Sequence, residues 1–210
     1  MIKTYEACPK KRKARAETII APYRKYFGYC LPKDKQYWTM CATHYNADGE
    51  LLKGSELDQM LESDLVNLDQ FHGVDIVPEI IDGNRTAVPD AHWHCGDFYK
   101  SLVEARNNGS FNPAVVNCDH LKMPYEGAEY LAKVMAFLSD IDDVMFVGNL
   151  ILRARMYFSS AEEMLKMLLE CQQFKYAYDQ GWQFDNNIYV YNGTGKNMTV
   201  LGSVVFYRKA

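Results

Sequence analysis

Short apolar runs alternate with amphipathic stretches along most of the chain. Residues 11–27 set Ala14, Ile19, Ile20, Tyr23 and Phe27 at helical spacing, broken at Pro22, and predict a helix. Tyr37–Thr43 is a continuous apolar run between breakers, the pattern of a buried strand, and Asn46–Gly49 reads as a turn. Ser55 opens a helix to about Val66, with Asp58 in the capping-box position and Leu57, Met60, Leu61 and Leu65 on one face. Phe71–Ile76 predicts a strand, and Pro78 stands where a first helical turn accepts proline. Further strands are expected at Ala91–Cys95, Pro113–Cys118 and Val144–Leu152, and further helices at 98–105, 127–138 and 160–171. The tail differs: Asn187–Tyr191, the turn Asn192–Gly195 and Met198–Arg208 form a hairpin signal with no helix between its strands.

Five strand–helix units predict an α/β fold, a mostly parallel sheet with helices on both faces, closed by an antiparallel C-terminal β-hairpin. Ligands of such sheets bind beyond the carboxyl ends of the strands. The positions to read are therefore Cys41, Ala42 and Thr43; Asp75 and Ile76; Gly96, Asp97 and Phe98; Asn117, Cys118, Asp119 and His120; and Asn149.

Composition narrows the class. With 48% apolar and 24% charged residues among 210, the chain has enough apolar surface to build a core and is not wholly disordered. No run reaches the length a membrane helix needs, and charge falls where a secretory leader would be apolar, so we expect no membrane partner and a cytoplasmic protein. Pro9–Lys13 resembles a nuclear-import signal, which would place a eukaryotic version in the nucleus. The net charge of −4 divides into +7 over residues 1–35 and −11 over the rest. A basic arm on an acidic body suits contact with phosphate, and Lys11, Arg12, Arg15, Arg24 and Lys25 beside Tyr23, Tyr26 and Phe27 are candidate nucleic-acid contacts. The same rings would equally serve to dock the helix. Six cysteines lack C-x-x-C spacing and suggest a reducing compartment. His92 and His94 share a strand face beside Cys95, yet no recognised ligand spacing completes a metal site, and no metal is expected.

Gly73-Val74-Asp75-Ile76 and Gly96-Asp97-Phe98, about twenty residues apart in one βαβ unit, carry a family likeness. With five αβ units and the closing hairpin, residues 37–210 resemble the Rossmann-like (class I) S-adenosylmethionine-dependent methyltransferases, and residues 1–36 form a basic helical extension outside that likeness. The resemblance implies S-adenosylmethionine as cofactor. It implies that Asp75 accepts from the ribose hydroxyls, Ile76 packs on adenine, Asp97 takes the adenine amino group and Phe98 covers the ring. Cys41, Ala42 and Thr43 would meet the methionine part, and Asn117 would line the cofactor side. Asp119 and His120 would orient or deprotonate the methyl acceptor.

Two departures stand beside it. The family's first loop is usually acidic-x-Gly-x-Gly, and here Cys41–Asn46 holds no glycine. The D/N/S-P-P-aromatic motif of amino-methylating DNA enzymes and the Pro-Cys of cytosine-C5 enzymes are also missing. Three readings follow: a methyltransferase acting on a nucleic acid, a catalytically silent methyltransferase-like scaffold, and, weakest for want of G-x-G-x-x-G, a dinucleotide-dependent enzyme. For Asp75 and Asp119 the plain alternative is a helix-capping carboxylate, and for His120 an exposed loop imidazole.

Overall fold

The computed structural model describes residues 8–119, 124–152, 172–192 and 200–210, with isolated positions between 160 and 170. Seven strands form one sheet in the order β3-β2-β1-β4-β5-β7-β6. They are β1 (Gln36–Met40), β2 (Phe71–Asp75), β3 (His92–Cys95), β4 (Pro113–Asp119), β5 (Val144–Leu152), β6 (Gln183–Asn192) and β7 (Val200–Arg208). β1 pairs parallel with β2 and β2 with β3, whereas β7 runs antiparallel to both β5 and β6. The expected fold class is therefore present. The chain clusters into two compact units, residues 1–116 and 117–210.

In the first unit a helical stretch opens with α1 (Pro9–Arg15), widens into a π-turn at Ala16–Ile20 and continues as α2 (Ala21–Tyr26). The widening precedes Pro22, which has no N–H to continue an α-helical ladder. This stretch is bound to its own unit by charge as well as apolar contact. Arg15, 6% exposed, lies 3.6 Å from Glu56, which also accepts from the Tyr37 hydroxyl at 2.6 Å. α3 (Glu56–Glu62) is shorter than expected; Ser55 caps it by accepting from the Asp58 N–H, while the Asp58 carboxylate takes the Gly54 N–H at 2.6 Å. β1 also ends three residues early, because the chain leaves the ladder once the Cys41 N–H has bonded Val74.

Strand alternation sends Trp93 to one face of the sheet, against α4 (Pro78–Ala87), its indole N–H donating to Val88 at 2.9 Å. A Cβ added at Gly73 would stand 2.5 Å from that indole, so this glycine makes room for a neighbouring side chain. α5 (Phe98–Asn107) follows β3.

In the second unit α6 (Pro124–Phe137) turns Ala128, Leu131, Val134 and Met135 inward and packs on β5. A helix not expected from the sequence, α7 (Gln172–Asp179), anchors through Phe174 stacked on Phe206. Its few apolar positions sit among Gln172, Gln173, Lys175 and Asp179, too short a pattern to stand out. β6 begins earlier than expected and carries a bulge between Asp185 and Ile188. The hairpin turn and most of the expected 160–171 helix lie outside the described residues. No helix among the described residues is long and apolar enough to cross a membrane.

Candidate functional site at the strand ends

The carboxyl ends of β1, β2 and β3 lie side by side, since Met40 pairs with Val74 and Asp75 with Cys95. Asp75 is the last residue of β2. Its Oδ1 accepts from the Val77 N–H at 2.8 Å, the alternative expected of a carboxylate ahead of a helix. That bond leaves its other oxygen to be accounted for. Burial pushes the Asp75 carboxyl up from the ordinary aspartate range, against the weaker pull of the Val77 and Ile76 amides. No cation among the described residues forms a salt bridge with it. A hydroxyl pair donating to that carboxylate would restore what desolvation removes.

Ile76 follows with 73% of its surface exposed, and Val77 with 39%. An isoleucine so open beside a half-buried acid gives a flat apolar group something to lie on. Asp97 caps α5, its Oδ1 accepting from the Lys100 N–H at 3.0 Å, and is otherwise exposed. Phe98 is 2% exposed and belongs to the inner face of α5. Cys95 is an exposed free thiol beside Asp75.

The loop after β1 is firmly held. Cys41 is 7% exposed, with Ala42 and Thr43 half-buried. The residue that holds it was not foreseen. Asn84, fully buried in α4, accepts from the His44 N–H at 2.8 Å and donates to the Ala42 carbonyl at 3.0 Å. A signal was available: Gly83-Asn84 puts two poor helix formers together in mid-helix, which a helix tolerates when tertiary contacts demand it.

In the second unit, Asn117 lies within β4, because that strand continues to Asp119. It is 3% exposed and accepts from the Asn149 side chain at 3.1 Å, and Asn149 in turn accepts from Ser203. Asn149, read as a ligand-facing strand-end position, lies within β5 and is thus part of a polar row inside the sheet. Asp119 ends β4 and is half-buried, and His120 lies outside the described residues.

The basic candidates separate by exposure. Arg15 is a correction: its burial against Glu56 and the Gly54 carbonyl removes it from any phosphate. Arg12 pairs with Glu62 at 2.8 Å while staying 43% exposed. Arg24 donates to the Ser63 carbonyl and covers the Tyr29 ring at 4.0 Å. Lys25 sits over Tyr26 at 4.5 Å, exposed, and Lys11 is half-buried.

The histidines form a stack instead of a chelate. Trp38, His72 and His92 are in register across β1, β2 and β3, with ring centroids 4.4 Å apart at each step, close to the strand spacing. The His94 ring is nearly parallel to that of His72, nitrogen to nitrogen at 3.2 Å, so one of those nitrogens is unprotonated. Burial, with the neighbouring imidazoles, lowers the His72 pKa to about 3; burial, His92 and Arg85 lower that of His94 to about 4. Among the described residues no cluster of three His, Cys, Asp or Glu side chains could hold a metal ion.

No family model matches the chain, and no curated protein is similar to it in sequence. Solved structures are similar in backbone. A S-adenosylmethionine-dependent methyltransferase from Anabaena variabilis matches with a TM-score of 0.51 at 10% identity, over 100% of this chain and 96% of its own. The fold is the Rossmann-like methyltransferase fold. A fibrillarin/Nop5p complex structure gives a TM-score of 0.50 at 9% identity, covering 91% of this chain and 81% of its own. A TehB-like S-adenosylmethionine-dependent methyltransferase from Corynebacterium glutamicum gives 0.46 at 15% identity, over 85% and 83%. In open α/β sheets ligands bind beyond the carboxyl ends of the strands. Asp75 and Ile76 are there.

Proposed function

We propose that this chain is a S-adenosylmethionine-dependent methyltransferase whose adenosyl group is held at the ends of β1, β2 and β3. The observation that carries the reading is the pair Asp75–Ile76: a carboxylate raised by burial with no salt-bridge partner among the described residues, next to an isoleucine 73% exposed. Asp75 accepts from the ribose hydroxyls, and Ile76 packs on the adenine. The bound cofactor supplies an electrophilic methyl group on a sulfonium. The chain's own contribution is to fix that group and to exclude water around it. Asp119 and His120 remain the candidates for orienting or deprotonating the acceptor.

We further propose a nucleic acid as acceptor, a reading supported by the charge of the N-terminal stretch. Lys10, Lys13 and Lys25 are exposed and Arg12 partly so, whereas Arg15 takes no part. Such contacts weaken as salt is raised, because they depend on releasing counterions from phosphate.

Calorimetry with S-adenosylmethionine tests the cofactor, and alkylation of Cys95 locates it. Ligand should slow iodoacetamide modification of Cys95 and leave exposed Cys30 unchanged as an internal control. Binding without methyl transfer to RNA, DNA or protein would favour the silent scaffold; no binding at millimolar ligand rejects the cofactor assignment.

A further inference from the structure

The loop after β1 lacks the glycines that let a backbone approach a ligand, yet it is held at four of the five residues Cys41–Tyr45. The Cys41 N–H bonds the Val74 carbonyl at 2.9 Å. The Ala42 carbonyl and the His44 N–H both bond the one carboxamide of Asn84, at 3.0 and 2.8 Å. Tyr45 closes onto α4 at Gly83, where an added Cβ would stand 2.3 Å from its ring.

A carboxamide sets an N–H donor beside a C=O acceptor in one plane, as a peptide group does. Asn84 therefore does for Ala42–His44 what a neighbouring strand does for a paired residue: it bonds the carbonyl before Thr43 and the amide after it. The conformation at Thr43 is thereby fixed from a side chain of α4 and needs no glycine. The Ala42 and Thr43 N–H groups donate to no described residue, and they stand at the end of β1, one strand away from Asp75.

We propose that Asn84 is a positioning residue for cofactor binding: it holds the Ala42 and Thr43 amides ready for the amino-acid end of the ligand, in place of a glycine loop. The inference rests on the adenosyl-binding reading above. It assigns separate duties, the amino-acid end to the loop held by Asn84 and the adenosine end to Asp75 and Ile76.

Two ligands separate these duties. S-adenosylhomocysteine carries both ends, and 5′-methylthioadenosine lacks the amino-acid end. Both are titrated calorimetrically into the wild-type chain, Asn84→Ala, the isosteric Asn84→Asp and Asp75→Ala, with thermal melting to confirm cooperative folding. Asn84→Asp keeps an acceptor for His44 and loses the donor to Ala42, so it serves if Asn84→Ala does not fold. We expect both Asn84 variants to lose at least tenfold in affinity for S-adenosylhomocysteine and to bind 5′-methylthioadenosine within twofold of wild type. Asp75→Ala should weaken both ligands. An Asn84 variant that folds and keeps S-adenosylhomocysteine affinity, or loses both ligands equally, overturns the positioning role while leaving the cofactor assignment standing. A wild-type chain that binds neither ligand rejects the assignment itself.

Discussion

On the same three strands, polar groups meet opposite fates within a few residues. In the middle, Trp38, His72 and His92 stack across β1, β2 and β3, and His94 closes the row with a hydrogen bond to His72. At the ends, Asp75 is half-buried with no counter-cation among the described residues, and Ile76 is uncovered. Desolvation is costly in both places. In the middle, stacking and an N–H···N bond offset it inside the protein. At the ends the Val77 and Ile76 amides offset it only in part, and burial still prevails at Asp75. A polar residue marks a site when its cost is left uncompensated, and a cluster of chemically versatile residues marks none when its members satisfy one another.

The largest expected effect breaks the middle. His72 is held neutral down to about pH 3, whereas in the unfolded chain it takes up a proton near 6.5. Its contribution to stability is therefore complete above pH 6.5 and is lost as pH falls toward 3. At pH 5 the unfolded state gains about 2 kcal/mol from this one group. In a protein of this size that lowers the melting temperature by about 4–8 °C. His94 moves in the same direction, by less because it is more exposed. Melting curves from pH 7.5 to 4.5 should show the slope, and His72→Phe, which keeps a ring in the stack, should reduce it. An unchanged slope in that variant removes His72 from the account.

The next effect separates stability from binding at the ends. Asp75→Asn keeps an oxygen to accept the Val77 N–H and removes the charge that burial disfavours. The melting temperature should stay level or rise slightly, while S-adenosylhomocysteine affinity falls about tenfold, or ~1.4 kcal/mol. Stability and function then move in opposite directions, as expected where a group is kept for a ligand. A fall in melting temperature would mean that the carboxylate serves the fold after all, as the cap of α4.

How much of this was legible in the sequence follows the range of the forces involved. The alternation of apolar runs gave the order of strands and helices, because burial repeats along the chain with the period of each element. Gly73-Val74-Asp75-Ile76 could be placed at the end of β2 for the same reason. What that glycine does could not: it accommodates Trp93 from another strand. Asn84 was missed because its two partners lie forty residues upstream, and no local pattern links an α4 carboxamide to a β1 loop. Arg15 looked like the other cations of the basic arm, since only packing distinguishes an arginine paired with Glu56 from one in water. Asn117 and Asn149 were read as ligand-facing positions because they are polar, and only the hydrogen-bonded row through Ser203 shows that they serve each other inside the sheet.

The two smallest effects form a matched pair, one residue from each region, each exposed and each offering a flat ligand or ring a surface to lie on. Ile76→Ala removes a side chain that the folded chain leaves 73% exposed, so its stability cost should stay within about 0.5 kcal/mol. If adenine lies on it, taking that apolar surface away weakens binding by about 1 kcal/mol, a fivefold drop in affinity for 5′-methylthioadenosine and S-adenosylhomocysteine alike. His92→Ala removes the exposed end of the stack and uncovers one face of His72. Its cost should be about 0.5–1 kcal/mol in stability, with no change in either affinity. One mutation thus reads only in binding and the other only in melting. The opposite pairing, with His92→Ala weakening the ligands and Ile76→Ala leaving them unchanged, would move the adenosyl group from the strand ends to the outer edge of β3.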